Sequence, residues 1–455
     1  MERPKVSAHG LAVFGALRAE DEPWLEECFV PPAEFDLMGG APSAIVFGPP
    51  GIGKSAVRAM LVRRAGGPEG FLAVHWQPNP AVWKPASGFQ SVPGQVAHIF
   101  DLCAAEVLRH LVANPEQWNI APDWARQMLA WFIHRFLQGA PPARLGDLIE
   151  RDGAAPVIAD LLHARPEEDI LPPNDWSQVA VELSKAIRRL GWRGIWIIVD
   201  GVEPWMDRAP DRLLQPLNAF LSSLPLFEQA FFAYKVFLPS ALQSQLAAAA
   251  GVERRRLYPF WLSWTEEQLI RIAERRLALA LGQPDFSLQM LCRDQQFMKW
   301  LRRVGGDIPR AWLELVRPMV VHYLETGKPL TREAWEKLRR QFPPRLVLDE
   351  INNQITVGGR VIPLGEIPAG AYRLLHYLYK NAGRIVPWDE LYYRGYRGKE
   401  RIPRPADEGY ESPKVYEGIL YSRISDLRRV IEPDPRNPIY LETVRDKGVR
   451  LRLTW

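Results

Sequence analysis

The sequence predicts an α/β fold with a mostly parallel sheet, followed by a small C-terminal domain of short strands and three helices. The chain has 455 residues, of which 47% are hydrophobic and 24% charged, and this is enough apolar material for about two or three domain cores. Short apolar runs alternate with helical segments over the first part of the chain, as in parallel α/β sheets. One of these runs leads into a glycine-rich loop that opens a helix.

Composition and charge argue against several classes of protein. The cysteines Cys28, Cys103 and Cys292 are far apart and odd in number, which argues against a disulfide framework or a zinc site and fits a reducing cytoplasm. No signal-peptide core starts the chain and no apolar run approaches ~20 residues, so we expect a cytoplasmic protein without a membrane span. The formal net charge is +4, and residues 345–455 alone hold 19 Lys and Arg against 15 Asp and Glu. This basic bias at the C-terminus suggests a nucleic-acid partner.

The segment from Gly48 to Ser55 reads GPPGIGKS and matches the phosphate-binding pattern G-x-x-x-x-G-K-[ST]. The run SAIVF before it predicts a buried strand, and AVRAMLVRRA after it has helical spacing. Glycines let the backbone point its N–H groups at a phosphate, and the helix N-terminus adds partial positive charge. We expect Lys54 to reach the β- and γ-phosphates of ATP and Ser55 to hold Mg²⁺. The predicted nucleotide-binding residues are Gly48, Pro49, Pro50, Gly51, Ile52, Gly53, Lys54, Ser55 and Ala56.

A second ligand for Mg²⁺ is predicted at Asp200. It follows the apolar run Ile195 to Val199, which is typical of a buried parallel strand, and ligands of such sheets lie at strand C-termini. Three residues later, Glu203 is a candidate for the base that activates the attacking water. Many related ATPases place an acid directly after the Asp, where this chain has Gly201, so Glu203 is either this base or a solvated loop acid.

Three further runs predict strands, and helices follow the last of them. The strand candidates are FLAVHW (Phe71–Trp76), FFAYKVFLPS (Phe231–Ser240) and RLYPFWL (Arg256–Leu262). The segments SWTEEQLIRIAERRLALA and VGGDIPRAWLELVRPMVVHYLETGKPLTREAWEKL then have helical periodicity, and Thr265 with Gln268 predicts a capping box at the start of the first.

From about Val13 to Leu338 the chain resembles the AAA+ superfamily, particularly its origin-recognition-like and STAND-type branches. Those proteins follow their fifth strand with a W-T-x-E-x-L…RR helix, as in SWTEEQLIRIAERR. They close a helical lid over the nucleotide site with G-x-x-x-P-R, here Gly305 to Arg310. The resemblance implies that Arg310 is a sensor-2 arginine that contacts the γ-phosphate, and that Ser240 is the sensor-1 polar residue. Bound ATP with Mg²⁺ is implied as well.

Two features of this region leave alternatives open. The turn ERRR ends at Arg256, and one of Arg254, Arg255 and Arg256 is either an arginine finger that completes a neighbouring subunit's site or part of a solvated basic turn. About 145 residues separate Lys54 from Asp200, more than a minimal core uses. The extra part contains two amphipathic helical segments, GQVAHIFDLCAAEVLRHLV and PDWARQMLAWFIHRFL, and we interpret it as an inserted helical subdomain for a partner or a neighbouring subunit. Its three histidines lack metal-ligand spacing; they are His98, His110 and His134.

The pair Pro343–Pro344 ends the helical lid and begins a new unit. Short strand-like runs follow, with a hairpin turn predicted at Gly358–Gly359. A helix over AGAYRLLHYLYKNAGRIV, a second near PWDELYYRG and a third over KVYEGILYSRISDLRRVIE come next, and IYLETVRDKGVRLRL predicts strand, turn, strand. This order describes a winged helix. The first helix carries Tyr372, Leu375, Leu378 and Tyr379 on one face.

Over about 110 residues this unit resembles the OmpR/PhoB-type DNA-binding domain. The matching segments are YRLLHYLYKNAGRIVPWDEL, RISDLRRVIEPDPRNPIYLETVR and GVRLRL. The resemblance implies that the third helix enters the major groove of double-stranded DNA and that the hairpin forms the wing. The implied contacts are Tyr416, Tyr421, Ser422 and Ser425 on the exposed helix face, Arg423, Arg428 and Arg429 to phosphates or bases, and Arg445 and Lys447 in the wing.

Three residues depart from the pattern of these relatives. Asp426 stands where many keep a basic residue, and Asp446 and Val449 replace the usual wing Gly and Tyr. Acids that face phosphates weaken binding, so one copy is expected to bind weakly and an oligomer to supply avidity. A winged helix used for protein contacts remains the alternative.

Together these observations predict three parts: a P-loop ATPase core at 1–262 with the helical insert at about 90–190, a helical lid at 263–342 and a winged helix at 343–455. The predicted function is an ATP-dependent, nucleotide-gated DNA-binding protein that forms a homo-oligomer, hydrolyses ATP and acts as a transcription regulator. The alternatives are an antiphage-defence or mobile-element ATPase, a replication-initiator-like ATPase, and a nucleotide-binding scaffold with negligible turnover. A protein partner for the insert is expected, and a membrane partner is not.

Overall fold

The computed structural model of the chain describes most of its residues. The described ranges are 10–14, 19–40, 42–66, 70–77, 92–139, 144, 170–172, 175–203, 210–341, 346–350, 353–357, 360–432, 435–436, 438–445 and 447–453.

A five-stranded parallel sheet forms the centre of the first part. Its strands are β1 (Ala44–Gly48), β2 (Phe71–Trp76), β3 (Gly194–Val199), β4 (Phe232–Pro239) and β5 (Tyr258–Trp261). Their order is β2-β3-β4-β1-β5, and every neighbouring pair is parallel. The predicted α/β fold class is therefore confirmed. The strands predicted at FFAYKVFLPS and RLYPFWL are one or two residues shorter at each end than those runs.

Helices connect and cover these strands in chain order. Before β1 come α1 (Leu25–Cys28) and α2 (Phe35–Met38), and after it α3 (Lys54–Ala65). The helices between β2 and β3 are α4 (Val92–Ala113), α5 (Pro115–Ile120), α6 (Asp123–Phe136) and α7 (Trp176–Arg189). Those between β3 and β5 are α8 (Pro210–Leu221), α9 (Leu224–Phe227), α10 (Gln243–Leu246) and α11 (Ala250–Glu253). After β5 come α12 (Glu266–Leu281), α13 (Phe297–Gly305), α14 (Pro309–Thr326) and α15 (Arg332–Gln341).

The sheet separates two hydrophobic cores. Because side chains of a strand alternate between faces, Ile195 and Ile197 of β3 join one core, while Trp196 and Ile198 join the other. The first core contains residues of α4, α6, α7 and α8. The second contains residues of α3 and of the four helices after β5. The predicted lid therefore shares its core with the face of the sheet that carries α3.

The insert is helical where the structure describes it, as the sequence predicts. Its long helices α4 and α6 contribute to the first core, where Phe100 contacts both Phe132 and Phe136 edge-on. The described insert helices thus complete the cover of the sheet rather than enclosing a separate core. His110 lies at a helix surface and makes a 2.6 Å hydrogen bond with Gln117 Oε1.

The C-terminal part is a winged helix. It begins with three antiparallel strands, β6 (Leu346–Asp349), β7 (Gln354–Val357) and β8 (Arg360–Pro363). Next come α16 (Ala369–Lys380), the short strand β9 (Ile385–Val386), α17 (Trp388–Glu390) with a π-helical turn at Leu391–Tyr396, and α18 (Pro413–Ile431). The hairpin of β10 (Leu441–Val444) and β11 (Gly448–Leu451) follows. Strand β11 also pairs with β9. The Pro343–Pro344 boundary and the Gly358–Gly359 turn lie outside the described residues, although the strands on both sides of that turn pair as a hairpin.

The predicted face of helix α16 packs on the domain core. The helix buries Ala371, Leu374, Leu375 and Leu378, and Tyr372 and Tyr379 are half-buried against the same core. The spacing of the buried set is i, i+3, i+4, i+7, which places the alanine rather than the tyrosines at its centre.

No described helix is long and apolar enough to cross a membrane. The three cysteines are buried free thiols.

A buried lysine connects β4 to the segment before β1. Lys235 is 1% exposed, and its Nζ donates 2.7 Å hydrogen bonds to the carbonyl oxygens of Gly40 and Pro42. Burial lowers the pKa of Lys235 from 10.5 to about 7. Between these two values, the unfolded chain binds a proton that the folded chain lacks. The contribution of Lys235 to stability is therefore smallest near pH 7 and rises as the pH increases towards 10.

We predict that replacing this group changes the pH dependence of stability. From pH 7 to pH 9, the free energy of unfolding of the native protein should rise by about 2 kcal/mol relative to that of Lys235→Met. Chemical unfolding at both pH values measures this difference, with the exposed Lys185→Met as the matched control. A parallel pH dependence in native protein and Lys235→Met contradicts the assignment.

Candidate functional site

The topology brings the predicted site residues to one edge of the sheet. The phosphate loop follows β1, Asp200 follows β3 and Ser240 follows β4, so all three lie at carboxyl ends of parallel strands. Pro239 of β4 lies opposite Gly48 of β1, which places Ser240 beside the start of the loop. Such edges of open parallel sheets are where ligands bind.

The loop has the backbone shape that its glycines predict. Gly51 and Gly53 adopt φ values of 79° and 105°, which side chains disfavour. A Cβ atom on Gly48 would lie 2.6 Å from Ile52 Cγ2, so this position accepts only glycine without a shift of the loop. The loop then passes directly into α3 at Lys54, and the first N–H groups of the helix face the same region.

Lys54 is buried in the loop and pairs with Glu203. Its Nζ donates to the carbonyl oxygens of Gly48 at 2.9 Å and Pro49 at 3.3 Å, and it lies 3.2 Å from Glu203 Oε1. Lys54 is 6% exposed, whereas Glu203 is about one-third exposed. The structure therefore brings Glu203 to the phosphate loop, and its role as a base stays a prediction.

Asp200 is paired with an arginine that sequence reasoning missed. Its Oδ1 accepts the Gly201 N–H at 2.8 Å, and its Oδ2 lies 2.9 Å from Arg58 Nε. Arg58 Nη1 also lies 3.5 Å from Nδ1 of His75 on β2. Burial raises the pKa of Asp200 and the Arg58 charge opposes this, while burial and Arg58 both lower the pKa of His75. Arg58 follows Lys54 by four residues, so helical spacing predicts that the two lie on one side of α3, but no local pattern predicts the Asp200 contact.

The oxygen atoms at this edge fit Mg²⁺ with a nucleotide. Ser55 offers a hydroxyl and Asp200 a carboxylate, and both are hard donors of the kind Mg²⁺ takes beside phosphate oxygens. Ser55 is half-buried in the first turn of α3, one turn before Arg58, which contacts Asp200. Among the described residues, at this edge or away from it, no three His, Cys, Asp or Glu side chains cluster as a metal site.

A cavity of about 440 Å³ opens beside the loop. Its volume is in the range of small-molecule sites. The polar end is formed by Lys54, Ser55 and Glu203. The apolar wall comes from the N-terminal segment, α12 and α14, and includes Val13, Phe14, Leu25, Val30, Ile272 and Leu313. A nucleotide whose phosphates occupy the loop has an apolar chamber for its base beside it.

The predicted lid contacts the loop directly. The Arg310 N–H, in the first turn of α14, donates to the Gly51 carbonyl oxygen at 3.4 Å. A Cβ atom on Gly51 would lie 3.1 Å from Ile308 and 3.3 Å from Arg310. Trp264 Nε1 donates to the Ile52 carbonyl oxygen at 2.7 Å. Arg310 also lines the cavity, and its sensor role stays a prediction. The SWTEEQL segment was recognised in the sequence, but the contact of its Trp264 with the loop was not predicted.

A buried ion pair joins the N-terminal segment to the lid across the cavity. Arg276 of α12 donates to both carboxylate oxygens of Glu22, at 3.1 and 2.7 Å, and to the Val13 carbonyl oxygen at 2.6 Å. A buried pair with two parallel hydrogen bonds fixes both position and orientation. The sequence carried no signal for this pair, because its members are about 250 residues apart.

The other predicted ATPase residues lie outside this cavity. Ser240 is half-buried at the start of a short 3₁₀ turn, and the cavity lining does not include it. The three arginines of the ERRR turn are exposed, and Arg256 pairs with Glu228 at 2.8 Å. Arg255 has a positive φ of 54°. Whether one of Arg254, Arg255 and Arg256 acts as a finger stays a prediction.

The winged helix presents one continuous exposed face on α18. Tyr421, Ser422, Ser425 and Arg429 are exposed on this helix, as the sequence predicts, and the Tyr421 ring packs at a tilt against Trp388 with ring centroids 4.9 Å apart. In the wing, Arg445 and Lys447 are exposed.

Two predicted contacts of α18 point inward instead. Tyr416 is 6% exposed and stacks on Tyr392 in the domain core, so the prediction that it faces DNA is wrong. The Arg428 guanidinium donates to the Leu441 carbonyl oxygen and the Thr443 hydroxyl at 2.8 Å, so this arginine holds the hairpin onto α18.

Asp426 is neutralised within α18. Arg423 lies 3.0 Å and Arg429 3.6 Å from its carboxylate. Val449 is buried on β11, and Asp446 lies outside the described residues.

We predict opposite effects for the two neighbouring arginines of α18. Arg428→Ala should destabilise the winged helix by about 1–3 kcal/mol, because it removes donors from two partners. Arg429→Ala should leave the melting temperature unchanged and weaken DNA binding several-fold, with a lower salt dependence. Thermal unfolding and duplex-binding titrations separate these effects. Unchanged DNA binding by Arg429→Ala contradicts the assignment of this face.

No family model matches the chain, and no curated protein matches it either. Solved structures of three archaeal proteins align over most of its length. The ORC1 protein of Aeropyrum pernix in complex with DNA is 14% identical, with 96% of this chain and 92% of that one covered and a TM-score of 0.36. The ORC2 protein of Aeropyrum pernix, as ADPNP-ADP complexes, is 13% identical, with 96% and 94% covered and a TM-score of 0.40. Cdc6p from Pyrobaculum aerophilum is 12% identical, with 99% and 95% covered and a TM-score of 0.31. At these scores they carry no conclusion about the function of this chain.

Proposed function

We propose that the chain is an ATP-dependent DNA-binding protein in which nucleotide controls the position of the lid. The observation that carries this proposal is the meeting of the phosphate loop, Glu203 and the first turn of α14 around one cavity, with Asp200 held near the loop by Arg58. The same chain carries a winged helix whose α18 has an exposed face with Arg429 and Ser425. A nucleotide site and a DNA-reading fold in one chain suggest that one controls the other.

Binding of the nucleotide begins with Lys54. In the structure its ammonium group is held by the Gly48 and Pro49 carbonyl oxygens and by Glu203. Phosphate oxygens of ATP are stronger partners than neutral carbonyls, so Lys54 turns to the β- and γ-phosphates while the loop N–H groups surround them. When bound, Mg²⁺ supplies neutralisation of the phosphate charge, and Ser55 and Asp200 are the residues that would hold it.

Release from Lys54 frees Glu203 for a second task. Glu203 is about one-third exposed beside the phosphate loop, so water reaches its carboxylate. In the proposed hydrolysis of ATP to ADP and phosphate, Glu203 accepts a proton from the attacking water and orients it towards the γ-phosphate. The alternative is that the protein senses ATP with negligible turnover.

The lid reports the state of the site through α14. Because the Arg310 N–H and Ile308 contact Gly51, a shift of the loop on phosphate binding moves the start of α14. The Arg310 side chain is exposed at the cavity and is proposed to reach the γ-phosphate, so loss of this phosphate releases the lid. Oligomerisation with ATP bound then brings several winged helices to one DNA.

The cellular role is open to three proposals. The transcription-regulator role has no support from the compared proteins. The replication-initiator-like role is the one that the names ORC1, ORC2 and Cdc6p suggest, and the low TM-scores of these structures leave the choice to experiment. The third is defence or mobile-element work. The positions of bound DNA in the cell distinguish these roles: promoters, one or a few replication origins, or foreign DNA.

We predict that Lys54→Ala abolishes nucleotide binding while the fold remains intact. The substitution removes the cation that neutralises the phosphates. Equilibrium titration with a fluorescent ATP analogue measures the affinity, and circular dichroism with thermal unfolding checks the fold. Lys185→Ala, at an exposed position on α7, is the matched control. If Lys54→Ala binds the ATP analogue with native affinity, the assignment of the phosphate loop is wrong.

We predict that Glu203→Gln retains ATP and lowers its hydrolysis by at least about tenfold, because a general base contributes ~10²–10⁴-fold. Single-turnover hydrolysis beside the binding titration separates these two effects. Unchanged hydrolysis in Glu203→Gln rules Glu203 out as the base.

A further inference from the structure

Arg58 occupies an unusual position for a cation. Its side chain is 8% exposed, and its Nε lies 2.9 Å from Oδ2 of Asp200, the carboxylate predicted to hold Mg²⁺. Arg58 lies on α3 one turn after Lys54 and Ser55, so the same helix carries the phosphate-binding lysine, the predicted metal-binding hydroxyl and this guanidinium. The phosphate-loop motif does not require an arginine at this position.

The contacts of Asp200 engage both of its oxygen atoms. Oδ1 accepts the Gly201 N–H at 2.8 Å, and Oδ2 faces Arg58. Next to this pair, Lys54 lies 3.2 Å from Glu203. Two cations of α3 therefore neutralise the two acids that follow β3. A metal ion bound by Asp200 would compete with Arg58, and phosphates bound by Lys54 would compete with Glu203.

We propose that Arg58 is an internal counter-ion of Asp200 that competes with Mg²⁺ for this carboxylate and thereby sets the magnesium dependence of nucleotide binding. This inference rests on the proposed function, because it concerns the same nucleotide site. It adds a positioning residue that the phosphate-loop motif does not contain.

The physical argument compares two cations for one carboxylate. A buried carboxylate needs a positive partner, and a guanidinium provides one without any ligand. Mg²⁺ brings twice the charge but must lose water and displace or share the Arg58 contact. The guanidinium has a second acceptor nearby, since Arg58 Nη1 lies 3.5 Å from His75 Nδ1. Arg58 can therefore release Asp200 without leaving its place between α3 and β2.

The test measures nucleotide affinity with and without magnesium. A fluorescent ATP analogue is titrated into the full chain in EDTA and in Mg²⁺ at a concentration in excess of the nucleotide, and the ratio of the two affinities is the magnesium enhancement. Arg58→Gln removes the competing charge, and Arg58→Lys retains it. Arg64→Gln removes one positive charge from the exposed side of the same helix, where Arg64 pairs with Asp36, and is the matched control.

We expect the magnesium enhancement of Arg58→Gln to exceed that of the native chain by about tenfold, the factor expected when a charge-assisted contact no longer competes. Arg58→Lys and Arg64→Gln should stay within about twofold of the native chain. An unchanged or smaller enhancement in Arg58→Gln overturns the inference, and so does an equal increase in Arg64→Gln. If the native chain binds no nucleotide under either condition, the proposed function fails and the inference fails with it.

A stability cycle tests the contact itself without any nucleotide. Arg58→Gln, Asp200→Asn and the double variant are unfolded thermally in EDTA. If Arg58 and Asp200 are paired, Arg58→Gln should lower the melting temperature less in the Asp200→Asn variant than in the native chain. Equal losses in both backgrounds show that the two side chains are not coupled, which contradicts the inference even where Arg58→Gln is too unstable for titration.

Discussion

The two ion pairs between α3 and the segment after β3 are the constraint on which the site depends. Lys54 pairs with Glu203 and Arg58 with Asp200, and three of the four side chains are largely buried. A buried charge without a partner is strongly unfavourable, so these pairs fix the rotation of α3 relative to the end of β3. Strand β4 lies between β3 and β1 in the sheet, so these pairs link a helix that follows β1 to a segment that follows a strand two positions away. The phosphate loop and the acids are thereby held together before any ligand binds.

The cavity links this charged edge to distant parts of the chain. Its walls come from the N-terminal segment, the loop, α12 and α14, and the Glu22–Arg276 pair connects the first of these to the third. The lid helices share their hydrophobic core with the face of the sheet that carries α3. A ligand in the cavity therefore contacts both sides of the boundary between sheet and lid, which is the arrangement that a nucleotide-controlled lid requires.

The sequence predicted the parts that repeat a local pattern. The strand FLAVHW was placed without error because its apolar run is bounded by turn residues, and the loop around Lys54 because its motif fixes spacing. The sequence did not predict long-range ion pairs. No local pattern pairs Arg58 with Asp200 or Glu22 with Arg276, because these contacts arise only when the sheet is assembled.

In the winged helix the same limit applied to side-chain direction. Tyr416 and Arg428 lie on a helix whose location was predicted correctly, yet both face inward. An aromatic or arginine side chain on an amphipathic helix can face either the core or a partner. For Arg428, the position of β10 determines that the guanidinium faces inward. The predicted domain boundaries stay predictions, and the Pro343–Pro344 turn lies outside the described residues.

The central claim is that nucleotide binding controls DNA binding, and sequencing of DNA crosslinked to the protein in its own cells tests it most directly. The native chain and a Lys54→Ala chain are compared at equal expression. The account predicts discrete peaks for the native chain that are lost or strongly reduced in Lys54→Ala. Equal peaks for both chains would show that DNA binding is independent of the nucleotide site and would contradict the account.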